Sequence, residues 1–211
     1  MNKKRIIWLV PVLVMAFAMS ACDNDDDGGG GIGETLNLSG DVYNMNGSLY
    51  TGNKDALTSN VGGTGLIKGG KLTFSIGRPT NMKLMTQLLS EMDTRYGFSI
   101  FSWASNDPGD TMAADLVFAN LTKKFLSAGT STVMEEIKYI YVDGDCEVKG
   151  KDIPPATING ISVKVSKFTL KLKKGWNAVG MILTPELAGG ILSATLVIGT
   201  GDSDNCKWVY E

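Results

Sequence analysis

The sequence predicts a mainly β fold, an antiparallel β-sandwich of roughly ten short strands with one inserted amphipathic helix. Three observations carry this. Short runs of alternating apolar and polar residues recur from Leu36 to the end of the chain, Gly-Gly and Asp-Gly pairs separate several of them, and one stretch after Pro79 has helical spacing instead. An open β-barrel is the alternative, because alternation and turns do not distinguish the two.

The elements follow in order. Leu36, Leu38 and Val42 open the β pattern. Leu66-Ile67-Lys68 and Lys71 to Ile76 flank Gly69-Gly70, a pair that supplies the positive φ angles of a tight hairpin. After Pro79, Thr80 caps an expected helix on which Met82, Met85, Leu88, Leu89 and Met92 form one face. That face packs on the core, with an adaptable docking surface as the other reading. Phe98 to Trp103 and Ala114 to Leu121 read as buried strands around a polar loop, Ser105 to Asp110. Ile137 to Val142 and Cys146 to Lys149 bracket Asp143-Gly144 as a second hairpin. Ile161, Val163 and Val165 lie on one parity and Phe168, Leu170 and Leu172 on the other, which requires a bulge or corner at Ser166-Lys167. Trp176 to Leu183, Ile191 to Ile198 and Cys206 to Tyr210 complete the strands.

Ahead of this domain, Lys3, Lys4 and Arg5 precede the apolar run Ile6 to Met19, and Met19-Ser20-Ala21-Cys22 follows. The run is shorter than the roughly 20 residues of a membrane span and contains Pro11, so it has the layout of a secretory signal. The segment resembles a bacterial lipoprotein signal peptide with its lipobox. That resemblance implies cleavage before Cys22, lipid on its thiol, and a protein held in the cell envelope, at the outer membrane on its periplasmic or surface face. Residues 1–21 are then the signal, 22–33 a lipidated cysteine with a flexible tether, and 34–211 a single domain. The tether, Asp23 to Asp27 followed by Gly28 to Gly31, has little to pack and dense like charge. It resembles the acidic runs of Bacteroidetes-type lipoproteins, which implies surface display; a plain spacer is the other reading. Asp110-Thr111-Met112 resembles a short O-glycosylation signal of the same group, and Phe168 to Asn177 resembles a stretch of envelope lipoproteins without assigned activity.

Cleavage leaves 190 of 211 residues and 17 of 20 basic residues against 22 acidic, so the formal charge moves from -2 to -5. A nucleic-acid partner is not expected of such a surface. Cys146 and Cys206 remain for a disulfide or for two separate buried thiols. The chain has no histidine, which removes the commonest general base and metal ligand, and neither a metal nor another cofactor is expected.

Several motifs invite sharper readings. Gly65 to Leu72 matches the start of a phosphate-binding loop, but Leu72 stands where Ser or Thr is needed and a strand follows instead of a helix. Glu135, Glu136 and Glu186 are the carboxylates from which a glycosidase pair would be drawn. Asp143, Asp145, Glu147, Asp202 and Asp204 read as turn chemistry rather than calcium ligands. Lys164, Lys167, Lys171, Lys173 and Lys174 either guard a strand edge or attract an anionic polysaccharide. Trp103, Trp176 and Trp208 are the tryptophans of the domain, and Trp176 with Asn177 beside it is the leading aromatic platform for a sugar.

The expectation is therefore a non-enzymatic, lipid-anchored envelope module that binds a glycan or a protein. An accessory subunit that assembles with other envelope proteins, through the methionine-bearing helix or an exposed strand, is the alternative, and a carboxylate glycosidase the third reading.

Overall fold

The computed structural model describes residues 31–96, 110–126, 133–150, 156–158, 161–166, 168–188 and 191–211. The signal, Cys22, the acidic run, Trp103 with its Phe98–Trp103 strand, and the loop from Ser105 to Gly109 lie outside these residues. The elements are β1 (Gly31–Gly33), β2 (Leu36–Asn44), β3 (Thr64–Lys68), β4 (Lys71–Ile76), β5 (Lys83–Leu84), α1 (Met85–Tyr96), β6 (Met112–Leu116), β7 (Leu121–Phe125), β8 (Met134–Val142), β9 (Cys146–Lys149), β10 (Ala156–Ile158), β11 (Ile161–Val165), β12 (Thr169–Leu172), β13 (Gly175–Ala188), β14 (Ile191–Thr200) and β15 (Cys206–Tyr210). Fifteen strands thus stand among the described residues where roughly ten were expected; β1, β5 and β10 are too short to show alternation, and the stretch read as one strand from Ala114 to Leu121 holds parts of two.

Thirteen strands join one sheet, whose main path runs β10-β11-β14-β13-β8-β7-β15-β2-β4-β3, while β9 and β12 form a second sheet of two. The large sheet is not closed into a barrel. It folds over on itself instead. Leu36, Leu38, Leu72 and Phe74 of β2 and β4 share one core with Tyr139 and Tyr141 of β8 and Trp176 and Ala178 of β13, although β7 and β15 separate them along the sheet.

The opposite side of the same central strands is buried too. Ile140 and Val142 of β8, and Val179 and Met181 of β13, meet α1, β9 and β12 in a second core. Alternate residues of β8 and β13 therefore serve two cores, and the molecule has a middle layer covered on both faces. This explains why Ile137 to Val142 and Trp176 to Leu183 are apolar on both parities.

Local predictions fare differently. The Gly69-Gly70 hairpin forms, with φ of 56° and 75°, and β3 and β4 pair from Lys68↔Lys71 to Thr64↔Ser75. The phase change near Ser166 is a corner: β11 lies in the large sheet and β12 in the small one. Asp143-Gly144 is not a hairpin turn. β9 pairs with β12, not β8, because the chain leaves the middle layer there to become its cover. The stretch Ala114 to Leu121 divides into β6 and β7, which pair with β8 at different positions. Nor is the sheet wholly antiparallel, since β11 runs parallel to β14 and the last strand, β15, parallel to β2.

The helix begins at Met85 rather than after Thr80, since Lys83-Leu84 first pairs with Met112-Ala113. Met85, Leu88, Leu89 and Met92 are all buried in the second core. The methionine stripe is a packing face, which removes it as a docking surface.

Gly70 is buried, and a Cβ there would stand 2.1 Å from the Tyr50 carbonyl oxygen, whereas one on Gly69 would meet nothing within 4 Å. Gly69→Ala should therefore cost about 1–2 kcal/mol for the left-handed backbone alone. Gly70→Ala should cost clearly more, because the backbone of Tyr50 must also move. Urea titration of both variants checks this; equal losses would contradict the close approach.

Candidate functional site

The tryptophans reached by the described residues are core. Trp176 is fully buried at the centre of the first core, and its indole N–H donates to the Gly77 carbonyl at 3.0 Å. Trp208 is buried as well, between Phe118 and Tyr139. Neither offers a face to a ligand, so the expected Trp176 platform is corrected: its neighbours in the first core enclose the ring. Trp176→Ala would remove about 3–5 kcal/mol of packing rather than a binding contact.

Asn177 is equally buried and fully engaged. Its Oδ1 accepts from the Lys173 amide at 2.9 Å, and its Nδ2 donates to the carbonyls of Lys173 at 2.8 Å and Gly175 at 3.0 Å. These bonds satisfy the backbone where the chain crosses from β12 to β13, so Asn177 is a structural clamp and not a ligand group.

The charged candidates are also committed. Asp143 accepts from the Met112 amide at 2.8 Å, and Asp145 from the Lys174 amide at 2.8 Å and Lys173 Nζ at 3.3 Å. Glu147 pairs with Lys149 and lies opposite Lys171 across the β9–β12 ladder. Lys174 pairs with Glu34 at 3.2 Å. Lys173 and Lys174 are thus paired with Asp145 and Glu34, which weakens the claim of the lysine segment on an anionic polysaccharide. Lys167 lies outside the described residues, and Lys164 is exposed on β11.

The carboxylates for a glycosidase do not converge. Glu135 and Glu136 are successive on β8 and face opposite ways, and Glu136 pairs with Lys138. Glu135 lies across from Ile182, and Glu186 stands four residues further along β13, about 13 Å at strand rise. Carboxylate pairs that cleave glycosides stand about 5–9.5 Å apart.

A further cluster forms at the bottom of the first core. Lys123 Nζ lies 2.5 and 2.6 Å from the two Asp202 oxygens, and the Tyr139 hydroxyl donates to Asp202 Oδ2 at 3.0 Å. Lys123 also sits 5.9 Å from the Trp208 ring centroid. Every member has its partner inside the protein, so this network closes the sheet rather than waiting for a ligand.

An aromatic surface does exist, at the end of β2. Asn44 to Leu49 forms a tight loop: the Asn44 amide donates to Ser48 O at 2.8 Å, the Gly47 amide to Asn44 O at 2.9 Å, and Asn44 Nδ2 to Ser48 Oγ at 2.8 Å. The loop leaves Met45 and Leu49 61% and 55% exposed. Next to it, the half-buried Tyr50 and Tyr210 rings stack at 4.7 Å between centroids and 28° between planes. Register explains the meeting, since Tyr210 of β15 pairs with Asn44 of β2.

Lys54 completes the group, with Nζ 5.3 Å from the Tyr210 centroid. Its backbone is fixed by two 2.8 Å bonds with Ile67, one in each direction. The hydrogen bond from Lys54 pulls the Tyr210 hydroxyl below the usual phenol range, helped by Asn120, and Tyr210 in turn raises Lys54. The result is a rigid aromatic surface edged by one cation and two exposed apolar tips. Sequence reasoning followed tryptophan and missed it. One signal was present: Met45 and Leu49 are apolar residues inside an Asn-rich turn, where solvent-facing polar residues are the rule.

Cys146 and Cys206 are free thiols, the first half-buried and the second buried. The first packs against the α1 side of the middle layer and the second belongs to the other core. Comparison of the chain with protein-family models, with curated proteins and with solved structures returns no match.

Burial raises the Cys146 thiol to about 11, the Cys206 thiol to about 12 and, with Glu34 assisting, the Tyr141 hydroxyl to about 12. Tyr139 is raised by burial and then by Asp202. All four are acids held protonated by the fold. Their contribution to stability is complete below the ordinary values of 9.0 for thiol and 10.0 for phenol, and is lost as pH rises from there through about 12. The melting temperature should therefore fall steadily above pH 9, and a thiol reagent at pH 8 should label Cys206 only after denaturation. Rapid labelling of Cys206 in the native protein, located by peptide mapping, would contradict its burial.

Proposed function

We propose that the chain is a lipid-anchored envelope protein whose folded part binds a glycan on the Tyr50–Tyr210 surface. The observation that carries this reading is the stacked, half-exposed tyrosine pair beside a hydrogen-bonded loop. Sugar rings present apolar C–H faces, and an aromatic ring held in place binds such a face without first losing side-chain freedom. The phenol hydroxyls and the Lys54 ammonium supply polar contacts at its edge.

The anchoring half rests on the Lys-Lys-Arg and apolar leader ending in Met19-Ser20-Ala21-Cys22. No helix among the described residues is long and apolar enough to cross a membrane. Several acyl chains on Cys22, at about 0.8 kcal/mol per buried methylene, would hold the domain at the outer membrane. The tether gives it reach.

A second reading has its own observation. Met45 and Leu49 are exposed apolar side chains on a rigid loop, and they suit a protein partner, so the chain would then be an accessory subunit of an envelope assembly.

The test uses the full chain purified in detergent, run through affinity gels containing a panel of neutral and acidic polysaccharides and peptidoglycan. Retardation by one class, weakened about tenfold in Tyr50→Ala with a melting temperature within a few degrees of the parent, is the expected result. In cells, Cys22→Ser should move the protein from the membrane to the soluble fraction. Absence of retardation by every polymer would refute the glycan reading, and capture of a defined envelope protein that Leu49→Asp abolishes would establish the second.

A further inference from the structure

The Tyr50–Tyr210 surface has a charge that the fold does not use. Among the described residues the ion pairs engage lysines close by, Lys71 with Asp41 and Lys124 with Glu211, whereas Lys54 takes part in none. Its contact is the Tyr210 side chain, with Nζ 5.3 Å from the ring centroid, and not a carboxylate. Its backbone is bonded to Ile67 both ways.

The net charge of the folded part does not oppose an anion. The tether carries Asp23, Asp25, Asp26 and Asp27, so residues 31–211 keep 18 of the 22 acidic residues against 17 basic ones. The folded part is nearly neutral, and the acidic character of the mature chain belongs to the tether. Local charge at the aromatic surface is then set by the nearest groups, over about one Debye length of 8–10 Å.

Resting on the glycan reading above, we infer that the ligand is an acidic sugar, one whose ring lies on Tyr50 and Tyr210 while its carboxylate meets Lys54. The two contacts are compatible in kind: a uronic acid carries its carboxylate on the sugar ring, and Lys54 Nζ stands 5.3 Å from the Tyr210 centroid. A neutral sugar would lack the charge pairing with Lys54. Lys54 therefore sets specificity, and the tyrosines supply the affinity common to both classes.

The experiment compares polygalacturonate, alginate and hyaluronan with the carboxyl-reduced form of each, on the full chain in detergent. At least one acidic polymer should retard the protein, its reduced form about fivefold less, the order of an exposed ion pair at its most favourable. Lys54→Gln should abolish that difference, Lys54→Arg should preserve it, and 0.5 M salt should shrink it. Equal retardation by acidic and reduced forms, or retardation by neutral polymers alone, overturns the acidic-sugar inference and leaves the glycan reading standing. No retardation by any polymer overturns both. A preference that survives in Lys54→Gln also overturns it, by placing the carboxylate elsewhere.

Discussion

The structure depends on a middle layer that is buried on both faces. β8 and β13 send alternate side chains into two separate cores, so neither face is available to water and each must be covered. Neighbouring strands such as β14 and β6 extend the layer, and other elements cover it. β2, β4 and β3 close one face by folding the same sheet back on itself, and α1 with the β9–β12 pair closes the other. The cost of the arrangement falls on its polar groups. Asn177 must satisfy a backbone crossing with its own amide, and Glu136 and Lys138 must neutralise each other at the layer's edge.

This constraint also decides where a ligand can go. Residues at the centre are spent on packing, however suitable their chemistry looks in isolation, and Trp176 and Asn177 are the plainest cases. A surface for binding has to lie where covering ends. The loop after β2 is such a place, because β15 arrives there with Tyr210 and the hairpin β3–β4 seats Tyr50 against Gly70. Its parts come from both ends of the folded chain, joined by the parallel pairing of β15 and β2. The Lys123–Asp202–Tyr139 network has comparable chemistry and a different fate, since its members satisfy one another.

What the sequence revealed follows from the range of each signal. The Gly69-Gly70 hairpin and the strand Cys206 to Tyr210 depend on neighbours in the chain, and both were legible. So were the helical stripe and the corner near Ser166, because a change of parity needs only a few residues. Pairing over distance was not legible. Nothing local distinguishes β9 joining β12 from β9 joining β8, and Asp143-Gly144 looks like a hairpin turn in either case. The stack of Tyr50 on Tyr210 spans 160 positions and depends on a parallel register that periodicity does not encode. Exposure was misjudged for the same reason: a strand apolar on both parities signals burial on both faces, and Trp176 stands in one.

Hydrogen exchange of the full chain tests the doubly covered middle layer most directly. The account predicts that the slowest amides are those of Ile137 to Val142 and Trp176 to Met181, exchanging only with global unfolding, while the covering strands β3 and β4 open first. Early exchange in β8 and β13 with protection concentrated in the β3–β4 hairpin would contradict it.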